Sequence, residues 1–118
     1  MTTLRSTRRL ERYEERYRAL TRQLADIGYI ASGSLAPRFT RCGRANCACA
    51  SDPPKLHGPY WHWTAKVNGR TVNRRLNERE AALYSEWIGN ERRAKELLSQ
   101  MREVAAKATA LILAEEAE

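Results

Sequence analysis

The stretch WHWTAKVNGRTVNRRL, residues 61–76, predicts a β-hairpin in the middle of the chain. Its dipeptide Asn68-Gly69 readily places two successive residues at positive φ, as a two-residue type I′ turn requires. Counting away from this turn pairs Val67 with Arg70, and every later pair follows in the same register. Because side chains alternate along a strand, this register assigns each residue of the hairpin to one of two faces.

The two faces of the hairpin differ in their chemistry. One is mostly apolar and is expected to pack on helices: Trp61, Trp63, Ala65, Val67, Val72 and Leu76. The other, called the polar face below, consists of Tyr60, His62, Thr64, Lys66, Thr71, Asn73 and Arg75. It has no carboxylate and presents donors of the kinds that reach base edges and phosphates. Since a two-stranded ribbon fits the major groove of B-form DNA, this face is either a DNA-contacting surface or a plain solvent face.

A helix is predicted on each side of the hairpin. Before it, six apolar residues are spaced 3, 4, 3, 4 and 3 positions apart, which is typical of an amphipathic helix over residues 4–26. After it, Asn77 is an N-cap residue to which Glu80 can bond back, so a long helix is predicted over residues 78–116.

The second predicted helix is too long for the first to cover. At 1.5 Å per residue it spans ~58 Å, against ~35 Å for the first. It carries a wide apolar stripe, beside which Leu97, Val104 and Leu111 recur every seven residues. If the helices pair antiparallel, Val104, Leu111 and Ile112 stay exposed unless a second subunit covers them. We therefore expect a homodimer through the C-terminal helix, with a frayed Ala-rich tail as the alternative.

Three cysteines and a histidine are concentrated in RCGRANCACASDPPKLH, residues 41–57: Cys42, Cys47, Cys49 and His57. An odd number of cysteines in a chain without an export signal argues against a disulfide framework. Three thiolates and an imidazole are instead a ligand set that Zn²⁺ takes tetrahedrally in structural sites. His62 is the alternative fourth ligand, and three reduced thiols in a loop are the alternative to a metal. The predicted fold class is therefore α+β in one domain of residues 1–118, with a helix (4–26), a zinc-stapled loop (33–59), a β-hairpin (60–76) and a long helix (78–116).

The net charge of +7 is concentrated in one third of the chain. Residues 34–76 contain eight bases and one acid, whereas the rest has thirteen of each. The bases are Arg38, Arg41, Arg44, Lys55, Lys66, Arg70, Arg74 and Arg75. Such segregation favours a nucleic acid as partner over ribosomal or lipid surfaces. No run of eighteen apolar residues and no signal peptide is present, so we expect a cytoplasmic protein without membrane contact.

The run from Gly33 to Leu76 resembles an uncharacterised family of small bacterial proteins. The resemblance lies in Gly-Ser-Leu, then Arg-Cys-Gly-x-x-x-Cys-x-Cys, then His-Gly-Pro-Tyr, a hairpin and a long helix, and it extends to about residue 100. It implies no established activity, although the family's members resemble cargo of mobile elements and phages. The hairpin and following helix are also loosely similar to the arm-binding β-sheet domains of tyrosine integrases, for which LAPRFTR, residues 35–41, would supply a third strand.

These observations predict a small zinc-stabilised nucleic-acid-binding protein, an accessory or regulatory factor of a mobile element or phage. Duplex DNA is the first expected target and structured RNA the second. The expected contacts are Lys66, Asn73, Arg75, His62 and Tyr60 in the groove, and Arg38, Arg41 and Arg44 on flanking phosphates. We do not expect an enzyme, because Asp52 is the only carboxylate in the central region and four ligands would close the metal site. The alternatives are a dimeric adaptor or inhibitor that binds an acidic protein, and a thiol-based redox or metal sensor.

Overall fold

The chain combines two helices with a small antiparallel sheet, which confirms the predicted α+β class. The structure is a computed structural model that describes residues 4–117, with side chains from residue 7 onward. In chain order its elements are α1 (Leu4–Ala25), β1 (Ser34–Thr40), a short 3₁₀ helix (Ala48–Ala50), β2 (His57–Val67), β3 (Arg70–Leu76) and α2 (Glu78–Glu116).

The hairpin of β2 and β3 has the register that its turn residues predict. Asn68 has a φ of 52° and Gly69 a φ of 78°, so both central residues of the turn lie in the left-handed region. Val67 pairs with Arg70, and each later pair follows without a shift up to Trp61 and Leu76. The apolar and polar faces of the hairpin are therefore composed as predicted.

A third strand is present. The sequence predicted it only through the resemblance to the arm-binding domains of tyrosine integrases. β1 pairs antiparallel with β2 and completes the order β1-β2-β3. Leu35 lies opposite Trp63, while Arg38 lies opposite Tyr60. The predicted loop over residues 33–59 is shorter in the structure. It runs from residue 41 to residue 56, with β1 before it and His57 already in β2.

The described contacts divide the chain into two compact units. The sheet unit comprises Ile30–Gly89, and the helical unit comprises the residues up to Tyr29 together with those from Asn90 onward. In the sheet unit, the apolar side of the sheet and the first turns of α2 share a core of buried side chains: Ala65, Leu76, Ala81 and Ile88. Tyr84 extends this core, because its ring lies 4.9 Å from that of Trp63 and 5.1 Å from that of Trp87.

The start of α2 is closed by the reciprocal hydrogen bonds that its sequence predicts. The backbone N–H of Glu80 donates to Asn77 Oδ1 at 2.8 Å, and the backbone N–H of Asn77 donates to Glu80 Oε1 at 3.0 Å. Two backbone donors at the helix end are thereby satisfied. The helix begins at Glu78, where it was predicted.

In the helical unit, α1 runs antiparallel to the second part of α2. Leu20 and Leu97 are each 1% exposed and form its centre. Arg93 Nη2 donates to Gln23 Oε1 at 2.7 Å, and Asn90 Nδ2 donates to the Tyr29 carbonyl at 2.8 Å. These contacts fix which turns of the two helices lie side by side. Within residues 4–117, neither helix has the length and apolar content needed to cross a membrane.

The helix pairing corrects one expectation about exposed residues. Val104 and Leu111 are half-buried within a single chain, whereas Ile112 is 43% exposed. The physical reason is that α1 pairs with α2 only from about Asn90 onward, so its first turns reach the level of Ala108. The predicted homodimer consequently remains a prediction, and it cannot depend on exposure of Val104 and Leu111.

Candidate metal centre

The loop between β1 and β2 brings three thiols and one imidazole together. Cys42 follows the end of β1, Cys47 immediately precedes the 3₁₀ helix, Cys49 lies in it, and His57 opens β2. Their four ligand atoms all lie within 4.8 Å of one another. The two ends of the cluster are joined by the sheet, because Thr40 pairs with His57 across β1 and β2.

The spacing of these atoms fits a tetrahedral metal ion. Zn–S bonds of 2.3 Å and Zn–N bonds of 2.0–2.1 Å would separate two sulfurs by ~3.8 Å and a sulfur from a nitrogen by ~3.6 Å. The Sγ atoms of Cys42 and Cys49 are 3.5 Å apart, and Cys47 Sγ lies 3.2 Å from His57 Nε2. These two pairs are slightly closer than the ideal values and the other pairs lie within 4.8 Å, so a small rearrangement of the cluster would accommodate one ion with all four ligands.

The cluster is supported by the backbone of its loop. Cys49 is completely buried, and the Cys42 backbone N–H donates to its Sγ at 3.4 Å. The backbone N–H of Cys47 donates to the Arg44 carbonyl at 3.3 Å, and that of Ala50 to the Cys47 carbonyl at 2.9 Å. Because the loop has few apolar side chains, its conformation depends on these hydrogen bonds and on any metal ion that the thiols bind.

Two of the thiols have shifted proton affinities. The pKa of Cys47 is lowered to about 7, first by the backbone N–H of Cys49 and then by the thiols of Cys49 and Cys42 and the imidazole of His57. The pKa of Cys49 is raised. The backbone N–H of Cys42 acts in the opposite sense, but burial and the neighbouring sulfurs of Cys42 and Cys47 together outweigh it. Cys47 is therefore the more readily ionised of the two.

Gly58 ties the histidine to the sheet. Its φ is +135°, and a Cβ atom built on it would lie 2.6 Å from the carbonyl oxygen of Arg38. Only glycine accepts both the conformation and this close approach. The glycine of the His-Gly-Pro-Tyr motif therefore lets β2 approach β1 closely, at the point between His57 of the thiol cluster and Tyr60 of the polar face.

The structure also places the second histidine. His62 is in β2, opposite Arg75 and Ala36, and its Nδ1 lies 2.8 Å from Asn73 Oδ1. It belongs to the polar face and is engaged there. Of the two candidate fourth ligands, His57 is the one that lies with the thiols.

The polar face is wider than the hairpin alone, because β1 extends it. The pairing of Arg38 with Tyr60 places Arg38 on this face, so Arg38 lies in a strand and not in the loop to which it was assigned. The guanidinium carbon of Arg75 lies 3.7 Å from the centre of the Tyr60 ring. Asn73 Nδ2 donates to Thr64 Oγ1 at 3.4 Å, and Lys66 is exposed at the hairpin end.

The remaining expected phosphate contacts lie in the loop. Arg41 and Arg44 are both exposed, on either side of Cys42 and Gly43. Asp52, the only carboxylate of residues 34–76, is exposed further along the same loop. Arg41 and Arg44 thus flank Cys42 in the sequence. The polar face that adjoins this loop has no acidic strand residue.

The donor set determines what the cluster can do chemically. Three thiolates and one imidazole fill a tetrahedral coordination sphere, whereas catalytic zinc keeps one position for water or substrate. If Cys42, Cys47, Cys49 and His57 all bind, no position is left open. The arrangement therefore suits a structural ion that joins the end of β1 to the start of β2.

Comparison with known proteins identifies a family but no activity. No curated protein and no solved structure matches the chain. A family model does match residues 8–85, which include most of α1, the cysteine loop, the whole sheet and the start of α2. The chain belongs to the family described as a domain of unknown function, DUF6788.

Proposed function

We propose that this protein is a zinc-stabilised DNA-binding protein whose polar sheet face enters the major groove of a duplex. The carrying observation is that all three strands contribute cationic or neutral polar side chains to this face, which has no carboxylate among them. Its role would be that of an accessory or regulatory factor of a bacterial mobile element or phage, as the sequence resemblance implies.

The charge of the sheet supports an anionic partner. Arg38, Lys66 and Arg75 lie on the polar face, and no strand residue of this face is an acid; the acid that borders it is Glu78 at the start of α2, which lines the same cavity as Arg75. Side chains of this kind donate to phosphates and to the acceptor atoms of guanine. The guanidinium of Arg75 also lies over the Tyr60 ring, which reduces the rotamer freedom that the arginine would lose on binding.

The dimensions of the sheet favour a duplex groove. Neighbouring strands lie ~4.8 Å apart, so the outer strands of a three-stranded sheet are ~10 Å apart. The major groove of B-form DNA is ~12 Å wide, whereas that of A-form RNA is too narrow for side chains to reach the bases. Duplex DNA is therefore the first target, and RNA would have to be met in its loops or single strands.

The metal would act as a structural staple in this proposal. Zinc fits the donor set of three thiols and one imidazole, and its binding free energy would stabilise the loop that carries Arg41 and Arg44. The same loop connects the strands that carry Arg38 and Tyr60. Loss of the ion should weaken DNA binding because these groups would no longer be held together.

Binding assays with a matched pair of variants test the function. Arg74 and Arg75 are neighbours on β3, both exposed, and they point to opposite faces of the sheet. Fluorescence anisotropy with labelled duplex DNA should show weaker binding for Arg75→Ala and parental binding for Arg74→Ala. Arg41→Ala should instead weaken binding to all sequences and flatten the slope of log affinity against log salt by roughly 0.9.

Two controls decide what the basic surface contacts. The same variants are titrated with structured RNA and with an acidic protein at physiological salt. If Arg75→Ala and Arg41→Ala bind DNA and RNA like the parent but lose the acidic protein, the surface is a docking site for a protein and the adaptor function replaces the DNA-binding one. If RNA alone shows the pattern, RNA is the target.

A thiol-based sensor is the second candidate, and the exposure of Cys42 favours it. Its Sγ is 3.5 Å from that of buried Cys49, so the two could form a disulfide if the metal left. In that step hydrogen peroxide would accept two electrons from the two thiolates and two protons from solvent, its O–O bond would break to give two water molecules, and the new S–S bond would leave the ion with two fewer ligands. Stoichiometric zinc release by dilute hydrogen peroxide, reversed by a thiol reductant and added zinc, would support this function.

A further inference from the structure

One face of the helical unit is left partly uncovered by its own two helices. An open groove of about 1280 Å³ lies there, with Leu10 of α1 and Ala108 and Ile112 of α2 on its floor. Leu98, on the same side of α2, is 37% exposed, and Ile112 is 43% exposed. Leu98, Ala105 and Ile112 recur every seven residues, so they form a continuous stripe along the edge of the α1–α2 contact. This surface, from the groove to Leu98, is called the groove face below.

The groove face carries a self-complementary pattern of charges on α1. Glu11, Glu15, Arg18 and Arg22 are all exposed and are spaced 4, 3 and 4 positions apart, which puts them on one stripe of the helix. Glu11 and Glu15 line the groove, so this stripe follows its edge. Two acids are followed by two bases at mirror-image spacing. If a second α1 lies antiparallel against this stripe, each glutamate faces an arginine.

The midpoint of this charge pattern coincides with the exposed leucine of α2. The midpoint lies between Glu15 and Arg18, and Arg16 Nη2 donates to Gln100 Oε1 at 3.4 Å, so the corresponding level of α2 is that of Gln100. Leu98 is two residues from Gln100. An antiparallel copy centred here would therefore cover Leu98 while it pairs the charges.

Arg8, Arg12 and Glu14 also line the groove, and Glu14 forms a salt bridge with Arg18 of the stripe at 2.9 Å. Both side chains of that pair stay more than half exposed, so Arg18 can still face a glutamate of a second copy. The acids of the stripe itself are Glu11 and Glu15. A parallel copy would bring these acids against the same acids, and Arg18 and Arg22 against themselves. Like charges held at close range are destabilising, so only the reversed orientation is favoured.

We infer that a second copy of this chain packs on the groove face, antiparallel and related by a two-fold axis perpendicular to the helices. Each copy contributes α1 and the second part of α2, which gives a four-helix arrangement with Leu98 in its interior. Half-buried Ala94 and Ala105, on either side of Leu98, are small enough to let the helices approach to the usual 8–10 Å. The interface is built from both helices and replaces the predicted seam through Val104 and Leu111.

A first experiment tests the face. Zinc-loaded protein comprising residues 1–118, at micromolar concentration, should have a mass of about 27 kDa by light scattering, twice the 13.5 kDa of one chain. Leu98→Glu should give a monomer with unchanged helix content by circular dichroism. Its matched control is Ser99→Glu, because Ser99 is exposed and points away from the groove face. A parental monomer, or a Leu98→Glu variant that is still a dimer, would overturn the inference.

A second experiment tests the orientation. Glu11→Lys with Glu15→Lys makes the stripe wholly basic, and Arg18→Glu with Arg22→Glu makes it wholly acidic, so each double variant alone should be monomeric. In an equimolar mixture every contact is again between opposite charges, and a heterodimer of dimer mass should form. Arg9→Glu with Arg92→Glu, on exposed positions off the groove face, is the control and should stay dimeric. Double variants that dimerise alone, or a mixture that stays monomeric, would overturn the antiparallel two-fold arrangement. The groove face would then be a binding surface for a different protein.

Discussion

The guanidinium of Arg75 is stacked on the ring of Tyr60, 3.7 Å from its centre. Tyr60 belongs to the His-Gly-Pro-Tyr motif that also supplies His57, so the thiol cluster and the polar face share one short segment of β2. The chain thereby joins its candidate metal site to a cation that lies over an aromatic ring. This arrangement leads to predictions for the stack, the metal, the thiols and the glycine between them.

The stack should matter for DNA binding through the aromatic ring and not through the hydroxyl. Tyr60→Phe keeps the ring under Arg75 and should bind duplex DNA like the parent. Tyr60→Leu removes it and should weaken binding by about 0.5–1 kcal/mol, the usual contribution of an exposed cation–π contact. Anisotropy titrations measure both. Equal affinity of all three proteins would show that the stack does not position Arg75 for DNA.

Removal of the metal should loosen the loop before the helices. Elemental analysis of protein purified without added metal should give about one zinc per chain, because four ligand atoms lie within 4.8 Å of one another. A chelator should then increase hydrogen exchange over residues 41–60 while α1 and α2 stay protected. Cys47→Ser should lose more zinc than His57→Ala, since water replaces an imidazole more easily than a hydroxyl replaces a thiolate. If the metal-free protein has the same melting temperature as the zinc-loaded protein, the ion does not stabilise the fold.

Local signals explain which parts of the fold could be predicted. The hairpin register depends on Asn68-Gly69 and the start of α2 on Asn77 and Glu80, and in each case the residues that determine the geometry are adjacent in sequence. β1 gave a weaker signal. It is an edge strand in which six of seven residues are exposed, so no alternation of burial marks it. Its Pro37 also argues against a central strand but is tolerated at an edge.

Long-range contacts explain what the sequence could not determine. The level at which α1 meets α2 depends on hydrogen bonds such as Asn90 to Tyr29, which connect residues far apart in the chain. The choice between His57 and His62 was open for a similar reason. The hairpin register places His62 on the polar face, but which histidine meets the thiols depends on how the cysteine loop folds back against β2, and only the structure shows that His57 does so.

The thiols of the metal-free protein should ionise at different pH values. Cys47 has a pKa of about 7, so the alkylation rate of its thiolate should rise through a midpoint near pH 7. The pKa of Cys49 is raised, so its midpoint should lie at clearly higher pH, whatever its absolute rate. Mass spectrometry of iodoacetamide adducts across this pH range measures both. In the zinc-loaded protein both should be protected, and identical midpoints in the metal-free protein would contradict the assigned environments.

A methyl group at Gly58 should disrupt the join between β1 and β2. In Gly58→Ala the new Cβ would lie 2.6 Å from the Arg38 carbonyl oxygen, at a φ of +135° that alanine rarely adopts. Backbone strain of this kind costs about 1–3 kcal/mol, and the carbonyl cannot move without disturbing the strand pairing beside His57. We expect a lower melting temperature together with weaker zinc affinity, measured by competition with a chromogenic chelator.

Gly89 provides the matched control, because a Cβ built there meets nothing within 4 Å and the residue lies in α2. Gly89→Ala should stabilise the protein by about 0.5–1 kcal/mol through helix propensity and leave zinc affinity unchanged. The contrast separates a general effect of replacing glycine from the specific contact with Arg38. If Gly58→Ala melts like the parent and retains its zinc, the two strands do not need this close approach, and the thiols alone hold His57 in place.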